Sequence, residues 1–474
     1  MLNKLSTGTR ALSALSLALL ASAAFVPTAH AQSISEDSYS GSKARVNQSA
    51  KLRTYSEEVA AATCRVANDL DPEAASEDLT RIRSNVTAIL AGLRDGDPAL
   101  GIPSGETSSS GIKSIAAVNE IWTQIDAAAA KITDNHGDTE SLNLVATSFA
   151  ELSERTSVLA SDISGAHSDP LELLQGDAIT LNFVGRQTTL LDQMDRIVCG
   201  MATGNAAFGT AEDLTASIEL FELSLNALRN GYSDAGIAPP PNDAVAQSLE
   251  EVHKHWIEEK AILEDIVVNG GTAESVVEVA SFTRVLLKDV YNTMTLYLIA
   301  TPGQEGVYRL PVNTYATGEL SGWLDDADMI AAINAQNAAH ADLTEADIIA
   351  LDQDWRAQAD AGGELISKLL DHDVSAWLRD QQTGTAGLVT EVFIMDNRGL
   401  NVAQSVKTSD YWQGDEAKWQ QTFAEDDAEM HIAEIEFDDS TGYYQTQASM
   451  PIFDPATNEK IGAITFGINV QSLM

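Results

Sequence analysis

The chain has 474 residues, 44% of them hydrophobic, and its 70 acidic and 28 basic residues give a formal charge of −42. An acidic field of this size repels nucleic acid and anionic lipid surfaces, which excludes both as direct partners. The acidic residues are spread along the whole chain, a distribution typical of a solvated surface, so the charge by itself indicates no mechanism.

Residues 1–31 have the pattern of a secretion signal. Basic residues precede an apolar stretch from Ala11 to Val26, and Ala29-His30-Ala31 is a small-x-small cleavage site. We therefore expect an exported, soluble, periplasmic protein whose mature chain begins at Gln32. A retained anchor helix is the alternative, although the apolar stretch is short for a membrane span.

The next feature is an internal repeat, in which residues near 44–141 recur near 179–275. The displacement is 135 positions and, after one lost residue, 134. The matching residues include Cys64 and Cys199, Glu77-Asp78-Leu79-Thr80 and Glu212-Asp213-Leu214-Thr215, Leu93-Arg94 and Leu228-Arg229, and Trp122 and Trp256. This period exceeds that of solenoid repeats, so the repeated unit is a small domain present twice.

Hydrophobic periodicity predicts four helices in each copy. Their approximate ranges are 36–69, 76–95, 111–133, 139–164, 172–204, 211–231, 243–268 and 272–300. Four helices with short turns predict an antiparallel bundle, here over residues 32–166 and again over 167–302. The short link between the copies favours two bundles side by side, like a homodimer fused into one chain. An end-to-end rod stays open if the link is helical.

Cys64 and Cys199 occupy the same place in the two copies. We expect them to be small, buried helix residues that were inherited with the duplication. A bridge between them requires the first helices of both copies to pack within disulfide reach, and the sequence leaves this pairing open.

The character of the chain changes over residues 303–474. A linker containing Gly and Pro leads to helical stretches near 326–338 and 343–382. Alternating segments follow, at 388–395, 401–405, 431–437, 443–453 and 461–470. A long helix before an antiparallel sheet indicates an α+β domain. The predicted fold class is therefore mainly α, with two tandem four-helix bundles and a C-terminal α+β domain.

The first helix of each copy carries a family resemblance. Ala50-Lys51-Leu52-Arg53-Thr54-Tyr55-Ser56 and Gly185-Arg186-Gln187-Thr188-Thr189-Leu190-Leu191 resemble the first-helix motif of the PilJ-type domain. This domain is the N-terminal sensor of type IV pilus methyl-accepting chemotaxis transducers. Leu228-Arg229-Asn230-Gly231, the later Pro-rich turn and Trp256 complete the pattern.

The resemblance implies an anion site. The related nitrate and nitrite sensor kinases have a similar helix, in which an Arg from each of two subunits clamps the anion. Arg53 matches that Arg, whereas the partner position is Thr188 and Arg186 aligns with Lys51. The implied site therefore combines Lys51, Arg53 and Arg186. Lys51 and Arg186 have no acidic residue one helical turn away, while Arg53 has Glu57.

Simpler interpretations of these three cations stay open. Arg53 with Glu57 is also typical of an exposed helical ion pair. Lys51 and Arg186 are also typical of long side chains that lie over their own helix.

The last segment resembles a Cache-type (PDC-like) sensor domain, in which a sheet cups a small ligand. Asp410-Tyr411-Trp412 and Trp419 form its densest polar and aromatic cluster, and Tyr443 and Gln445 follow on a hairpin. Aromatic walls with a carboxylate suit a small cationic or amphipathic ligand. Aromatic packing beneath a loop is the alternative.

No catalytic motif is found. His253 and His255 are two positions apart and point to different faces of a helix, so they cannot bind one metal as an i, i+4 pair would. The sequence has no nucleophile elbow or phosphate loop. We expect neither an enzyme nor a cofactor or metal site.

We expect a sensory protein that binds small molecules and passes the signal to a membrane-bound receptor or sensor kinase. The partner is inferred because no kinase, cyclase or methyl-accepting segment follows in the sequence. Two alternatives remain: a periplasmic scaffold or envelope protein without a ligand, and a solute-scavenging protein that serves a transporter.

Overall fold

The computed structural model describes residues 39–167, 175–300, 306–358, 362–385, 387–426, 430–438 and 441–473, with the side chains of residues 175–180 left out. The predicted secretion signal lies outside these ranges. So does the predicted domain boundary at residues 302 and 303. No helix within the described ranges combines the length and the apolar character needed to cross a bilayer.

The first four helices pack as a closed ring in which each helix contacts its two neighbours. They are α1 (Ser42–Ala67), α2 (Pro72–Asp95), α3 (Ser109–Asp134) and α4 (Thr139–Ala166). Their starts follow ordinary capping chemistry, because Pro72 stands in the first turn of α2 and the side chains of Ser108 and Asp138 cap α3 and α4. The apolar stripes of the four helices meet in one core.

The second four helices repeat this arrangement. They are α5 (Gln175–Thr203), α6 (Ala211–Asn230), α7 (Asp243–Asn269) and α8 (Ala273–Ile299). A distinctive turn after the second helix also recurs, since Asp97 pairs with Ile102 and, 135 positions later, Tyr232 pairs with Ile237. The two sets of helices therefore share their element order and their turn geometry.

Helices α1 and α5 form the seam between the two sets. They run parallel, because Thr54 lies beside Thr188 and Thr189, at 2.9 and 3.0 Å between hydroxyl oxygens, while Cys64 lies beside Cys199 further along both helices. Residues 134 or 135 positions apart thus face each other. Of the two arrangements that the sequence leaves open, the structure has the side-by-side one.

The same register joins the two cysteines. Cys64 and Cys199 form a disulfide, with their Cα atoms 6.3 Å apart and both side chains fully buried. The expectation of two unpaired core cysteines is therefore wrong. The disulfide forms because α1 and α5 pack in parallel, which places equivalent residues of the two helices opposite each other.

The C-terminal part begins with five helices. They are α9 (Arg309–Gly318), α10 (Ala327–Ala339), α11 (Glu345–Gln358), α12 (Glu364–Leu370) and α13 (Asp373–Gly384). Two expectations are corrected here, since α9 occupies the predicted linker and the predicted long helix at 343–382 is three helices. Gly363 precedes α12, and the imidazole of His372 accepts from the amide of Val374 to cap α13. These two positions break the helical run.

A six-stranded antiparallel sheet follows. Its strands are β1 (Val389–Asp396), β2 (Asn401–Gln404), β3 (His431–Ile432), β4 (Glu436–Asp438), β5 (Tyr443–Phe453) and β6 (Lys460–Asn469). Their order is β2-β1-β6-β5-β3, with β4 also paired to β5. A short helix, α14 (Ala417–Gln420), lies between β2 and β3. The predicted fold class, mainly α with a C-terminal α+β part, is confirmed.

The C-terminal part contacts α1 and α8 through hydrogen bonds to its backbone carbonyls. The side-chain amides of Asn47 and Gln48 on α1 donate to the carbonyls of Gln471 and Ser472, at 3.0 and 2.6 Å. On α8, Lys288 donates to the carbonyl of Thr441 at 3.1 Å. The sheet is thereby attached to both sets of helices.

The disulfide leads to a stability prediction. It closes a loop of 135 residues, so removing it restores a large chain entropy to the unfolded state. We expect the double variant Cys64→Ser/Cys199→Ser to lose about 2–4 kcal/mol of unfolding free energy, measured by urea denaturation. Reductant should weaken the wild type and leave the variant unchanged. Recovery of two free thiols from the denatured, unreduced wild type would contradict the assignment.

Candidate functional site

The seam between α1 and α5 is polar as well as covalently linked. Glu57 on α1 pairs with Arg196 on α5 at 2.7 Å, and Arg65 on α1 pairs with Asp195 on α5 at 3.5 Å. All four side chains are at least nine-tenths buried. Burying charges is unfavourable unless they are paired, so these two pairs fix how the helices face each other.

Two carboxylates of the seam are incompletely satisfied. Burial raises the pKa of Asp192 well above its ordinary value, and the nearby charges of Glu58 and Asp195 raise it further. Burial likewise raises the pKa of Asp195, although the charge of Arg65 opposes this. One oxygen of each carboxylate has no hydrogen-bond partner among the described residues. The seam therefore favours a proton on Asp192.

Arg53 and Arg186 come together at the other end of the seam. Burial lowers the pKa of Arg53, and the charge of Arg186 lowers it further, so the two guanidinium groups repel each other. Within the described residues neither forms an ion pair, and the Nε of Arg53 is buried without a hydrogen-bond partner. The expected ion pair of Arg53 with Glu57 does not form, because Glu57 pairs with Arg196 instead.

Arg53 lines a small cavity between α1, α4, α5 and α8. The cavity has a volume of about 60 Å³, and its other polar lining residues include Lys43, Asn47 and Asn182. No carboxylate is present among the described residues that line it. In a chain with 70 acidic residues, such a cavity is electropositive and suits a small anion.

Lys51 does not reach this cavity. It lies two positions before Arg53, and so points to a different side of α1. There it lines a separate cavity with Tyr55 and Asp97, and its ammonium group donates to the carbonyl of Gln471 at 3.4 Å. The structure thus brings Arg53 and Arg186 together and separates Lys51 from them.

The aromatic cluster of the C-terminal part is packed rather than open. The indole of Trp412 donates to the carbonyl of Arg398 at 2.9 Å, and that of Trp419 donates to the carbonyl of Asp396 at 3.1 Å. Tyr411 is buried and stacks on Trp355, with ring centroids 5.6 Å apart. These contacts are typical of rings that support the fold, and none of the three residues is among the described lining residues of the nearby cavity.

Asp410 and Tyr443 are also engaged within the protein. Asp410 is buried and accepts from Arg356 at 3.1 Å and from Gln413. The ring of Tyr443 lies 5.0 Å from the ammonium group of Lys288 on α8. Neither residue is among the described residues that line the nearby cavity.

That cavity lies over β1, β4 and β5 and has a volume of about 510 Å³. Of the six predicted pocket residues, Gln445 is found among its described lining residues. Glu391 lies at its centre and accepts from the side-chain amides of Gln445 and Gln447, both at 2.9 Å. Burial raises the pKa of Glu391, while the charge of Lys418 lowers it. The cavity is therefore polar, with both signs of charge on its wall.

Sequence reasoning missed most of this lining. Gln445 and Gln447 are two positions apart on β5, and Glu391 on β1 lies opposite Gly467 of β6, as Gln447 does. Most positions around Glu391 on β1 are apolar and buried. A polar residue at an inward position of an apolar strand is costly without a function or a partner. That break in alternation is the signal that points to Glu391.

A second buried acid, Glu259 on α7, yields a prediction. Burial raises its pKa to about 8 from an ordinary 4.5, and one of its oxygens accepts from Thr283 at 3.2 Å. The folded protein holds this proton between pH 4.5 and 8 whereas the unfolded chain does not, so stability falls as pH rises through this window. We expect Glu259→Gln to raise the unfolding free energy at pH 7 by about 2 kcal/mol.

The measurement is urea denaturation of both proteins from pH 4.5 to 8. The gain in unfolding free energy from Glu259→Gln should become smaller towards pH 4.5, because the Glu259 carboxyl of the unfolded chain also becomes protonated there. The exposed neighbour Glu258→Gln is the matched control and should have little effect. A gain that is equal at every pH would contradict the raised pKa.

Comparison with known proteins identifies a family for one part of the chain. The family model for the Type IV pili methyl-accepting chemotaxis transducer N-term domain, PilJ, matches residues 171–282. The match includes α6 and α7 and contains Arg186 on α5. No curated protein and no solved structure gives a match. The second set of helices is thus similar to a PilJ-type domain, which suggests a role in sensory signalling.

Proposed function

We propose that this protein is a periplasmic sensory protein that binds a small anion where α1 and α5 meet, and passes the signal to a separate membrane signalling partner. The PilJ match supports the sensory role, since PilJ domains are typically periplasmic sensor domains. The partner class follows from the matched family, whose name is that of a chemotaxis transducer.

The observation that carries the proposal is the unneutralised pair of Arg53 and Arg186. The positive charge of Arg186 acts unfavourably on Arg53, and an anion between the two guanidinium groups would offset this repulsion. Arg53 is half-buried and lines a cavity with no carboxylate among its described lining residues, and its buried Nε has no hydrogen-bond partner among the described residues. A planar anion with several acceptor oxygens matches the geometry of guanidinium donors.

The seam offers a way to transmit binding. The disulfide joins α1 and α5 at Cys64, eleven positions after Arg53, which is roughly 16 Å along the helix. An anion that draws Arg53 and Arg186 together acts at one end of this parallel pair, while the disulfide holds the other end. The expected response is a small rotation or shift of α1 against α5.

The cavity around Glu391 is a second candidate ligand site. Its buried carboxylate and two amides favour a ligand with a cationic or donor-rich group, and Lys418 accommodates an acceptor. The sequence predicts a cationic ligand for this part of the chain, and the Glu391 cavity favours one as well. Of the predicted binding residues, however, Gln445 is the one found among the described lining residues. A volume of about 510 Å³ is within the usual range for small-molecule pockets.

The first test uses nitrate and nitrite with the mature protein. We expect either anion to raise the melting temperature by on the order of a few degrees when it is well above its Kd, because it binds the folded state preferentially. Arg53→Gln should abolish this rise and Arg186→Gln should reduce it. Thermal shift at constant ionic strength, with chloride as the balancing salt, is the measurement.

Arg94→Gln is the control for this test, since Arg94 pairs at the surface with Asp95 and lies outside the cavity. It should leave the anion response unchanged. A nitrate or nitrite response that survives in the double variant Arg53→Gln/Arg186→Gln would refute this site. Tight binding without any change in the α1–α5 distance, measured by spin labels, would favour a solute-delivery protein over a sensor.

The second test addresses the Glu391 cavity. We expect Glu391→Gln to weaken the binding of small amines by about tenfold or more, because it removes the one buried carboxylate that faces them. A panel of primary and quaternary amines, titrated by calorimetry, is the measurement. Glu459→Gln, on the exposed turn before β6, is the control. Equal amine affinity in Glu391→Gln and wild type would count against this site.

A further inference from the structure

The side of α1 opposite Arg53 carries a larger cavity that the proposed anion site does not use. Its volume is about 570 Å³, and it lies between α1, α2, the turn after α2, α9 and α13. The first set of helices and the C-terminal part both contribute to its wall. A cavity of this size and position can hold an organic molecule that contacts both parts at once.

Lys51 is the cation of this cavity. Within the described residues it forms no ion pair, and its ammonium group has one long contact, 3.4 Å to the carbonyl of Gln471. Burial lowers its pKa to about 7, with no acidic neighbour to oppose this. A desolvated amine without a counter-ion is costly. A ligand carboxylate at this point would supply the missing charge.

Two carboxylates supply the opposite charge. Asp97 and Glu319 line the same cavity, and neither forms an ion pair among the described residues. Burial raises the pKa of Asp97, and the charge of Glu319 raises it further. Burial, together with the charges of Glu319 and Asp97, raises the pKa of Tyr315 to about 12. A cationic nitrogen of a ligand would relieve this crowding.

The cation and the carboxylates lie apart along the cavity. Helices α1 and α2 are antiparallel, and Asn85 donates to the hydroxyl of Tyr55 at 3.1 Å, which places Lys51 level with Ile89. Asp97 follows about eight positions later, roughly 12 Å along the axis. The cavity is therefore bipolar, with an amine at one point of its wall and acids at another.

The walls between these groups are aromatic and amide-bearing. Tyr55, Tyr315 and Trp323 supply the rings, and Gln48 and Gln381 supply amides. Aromatic faces favour a methylene chain and a cationic nitrogen together. An inorganic anion would pair with Lys51 but would make no favourable contact with the carboxylates of Asp97 and Glu319 or with the aromatic rings.

We propose that this cavity binds a zwitterionic amino acid with a carboxylate and a distant cationic nitrogen joined by a flexible chain, such as lysine or an ω-amino acid. Lys51 binds the carboxylate, and Asp97 and Glu319 bind the nitrogen. This proposal does not rest on the anion site of Arg53, which faces another cavity.

The test is calorimetry of the mature protein at pH 8 with four probes. L-lysine and 5-aminopentanoate carry both groups, while pentanoate and cadaverine each carry one kind. We expect both bifunctional probes to bind at least tenfold more tightly than either of the others. Equal affinity for pentanoate or cadaverine, or no heat with any probe, would overturn the proposal.

Two variants locate the binding. Lys51→Met should weaken 5-aminopentanoate at least tenfold and leave cadaverine unchanged, and Glu319→Gln should weaken both. Lys113→Met, an exposed lysine on α3, is the matched control. We expect Lys51→Met to melt no lower than the wild type, because it removes a half-buried amine that has no counter-ion among the described residues. Full affinity for 5-aminopentanoate in Lys51→Met would refute the assignment.

Proton uptake provides a readout on the wild type that needs no variant. At pH 8 Lys51 is mostly neutral, so a bound carboxylate makes it take up a proton. The binding enthalpy of 5-aminopentanoate should then differ between phosphate and Tris by a substantial fraction of their difference in ionisation enthalpy. An identical enthalpy in both buffers would show that Lys51 does not hold the carboxylate. The anion response of Arg53 should persist in every one of these variants.

Discussion

The parallel packing of α1 against α5 is the constraint on which the rest of the structure depends. Because the helices are in register, residues 134 or 135 positions apart meet, and this places Cys64 on Cys199 and Thr54 on Thr188. The same register brings Arg53 next to Arg186, although these two are not equivalent positions of the repeat. An antiparallel or end-to-end arrangement would remove the disulfide and the cationic cavity together.

The seam is also unusual in how much charge it buries. Apolar residues would pack α1 and α5 with less desolvation cost, since a buried ion pair seldom repays the loss of water. Its charge pairs instead favour one register, because a slip would separate Glu57 from Arg196 and Asp195 from Arg65. The disulfide joins α1 and α5 covalently, so the two helices stay together whatever the strength of these ion pairs. Among the described residues Arg53 belongs to neither the ion pairs nor the disulfide of the seam, which leaves its side chain able to adjust to a ligand.

Local patterns were enough to predict the helices of the two repeated sets and most strands, while the sites needed tertiary structure. Periodicity places each of α2 to α8 within about four residues of its observed bounds, because an apolar stripe is a local property. The disulfide was not predicted, since it depends on which helices become neighbours. The cluster of Trp412 and Trp419 was misjudged for a related reason. Two backbone carbonyls satisfy the indoles, and no sequence pattern shows where those carbonyls lie.

Helix α1 ties the two proposed sites together, because Arg53 and Lys51 sit two positions apart on opposite sides of it. The residues just before them, Asn47 and Gln48, hold the last residues of the chain, so a movement of this turn reaches the sheet as well. A ligand at Arg53 that rotates α1 also changes the wall of the Lys51 cavity. Linkage then requires that an amino acid at Lys51 change the affinity for the anion by the same factor. Residues 47–53 of α1 contact the C-terminal part and line both cavities, so a movement of this segment is sufficient to couple two chemically different ligands.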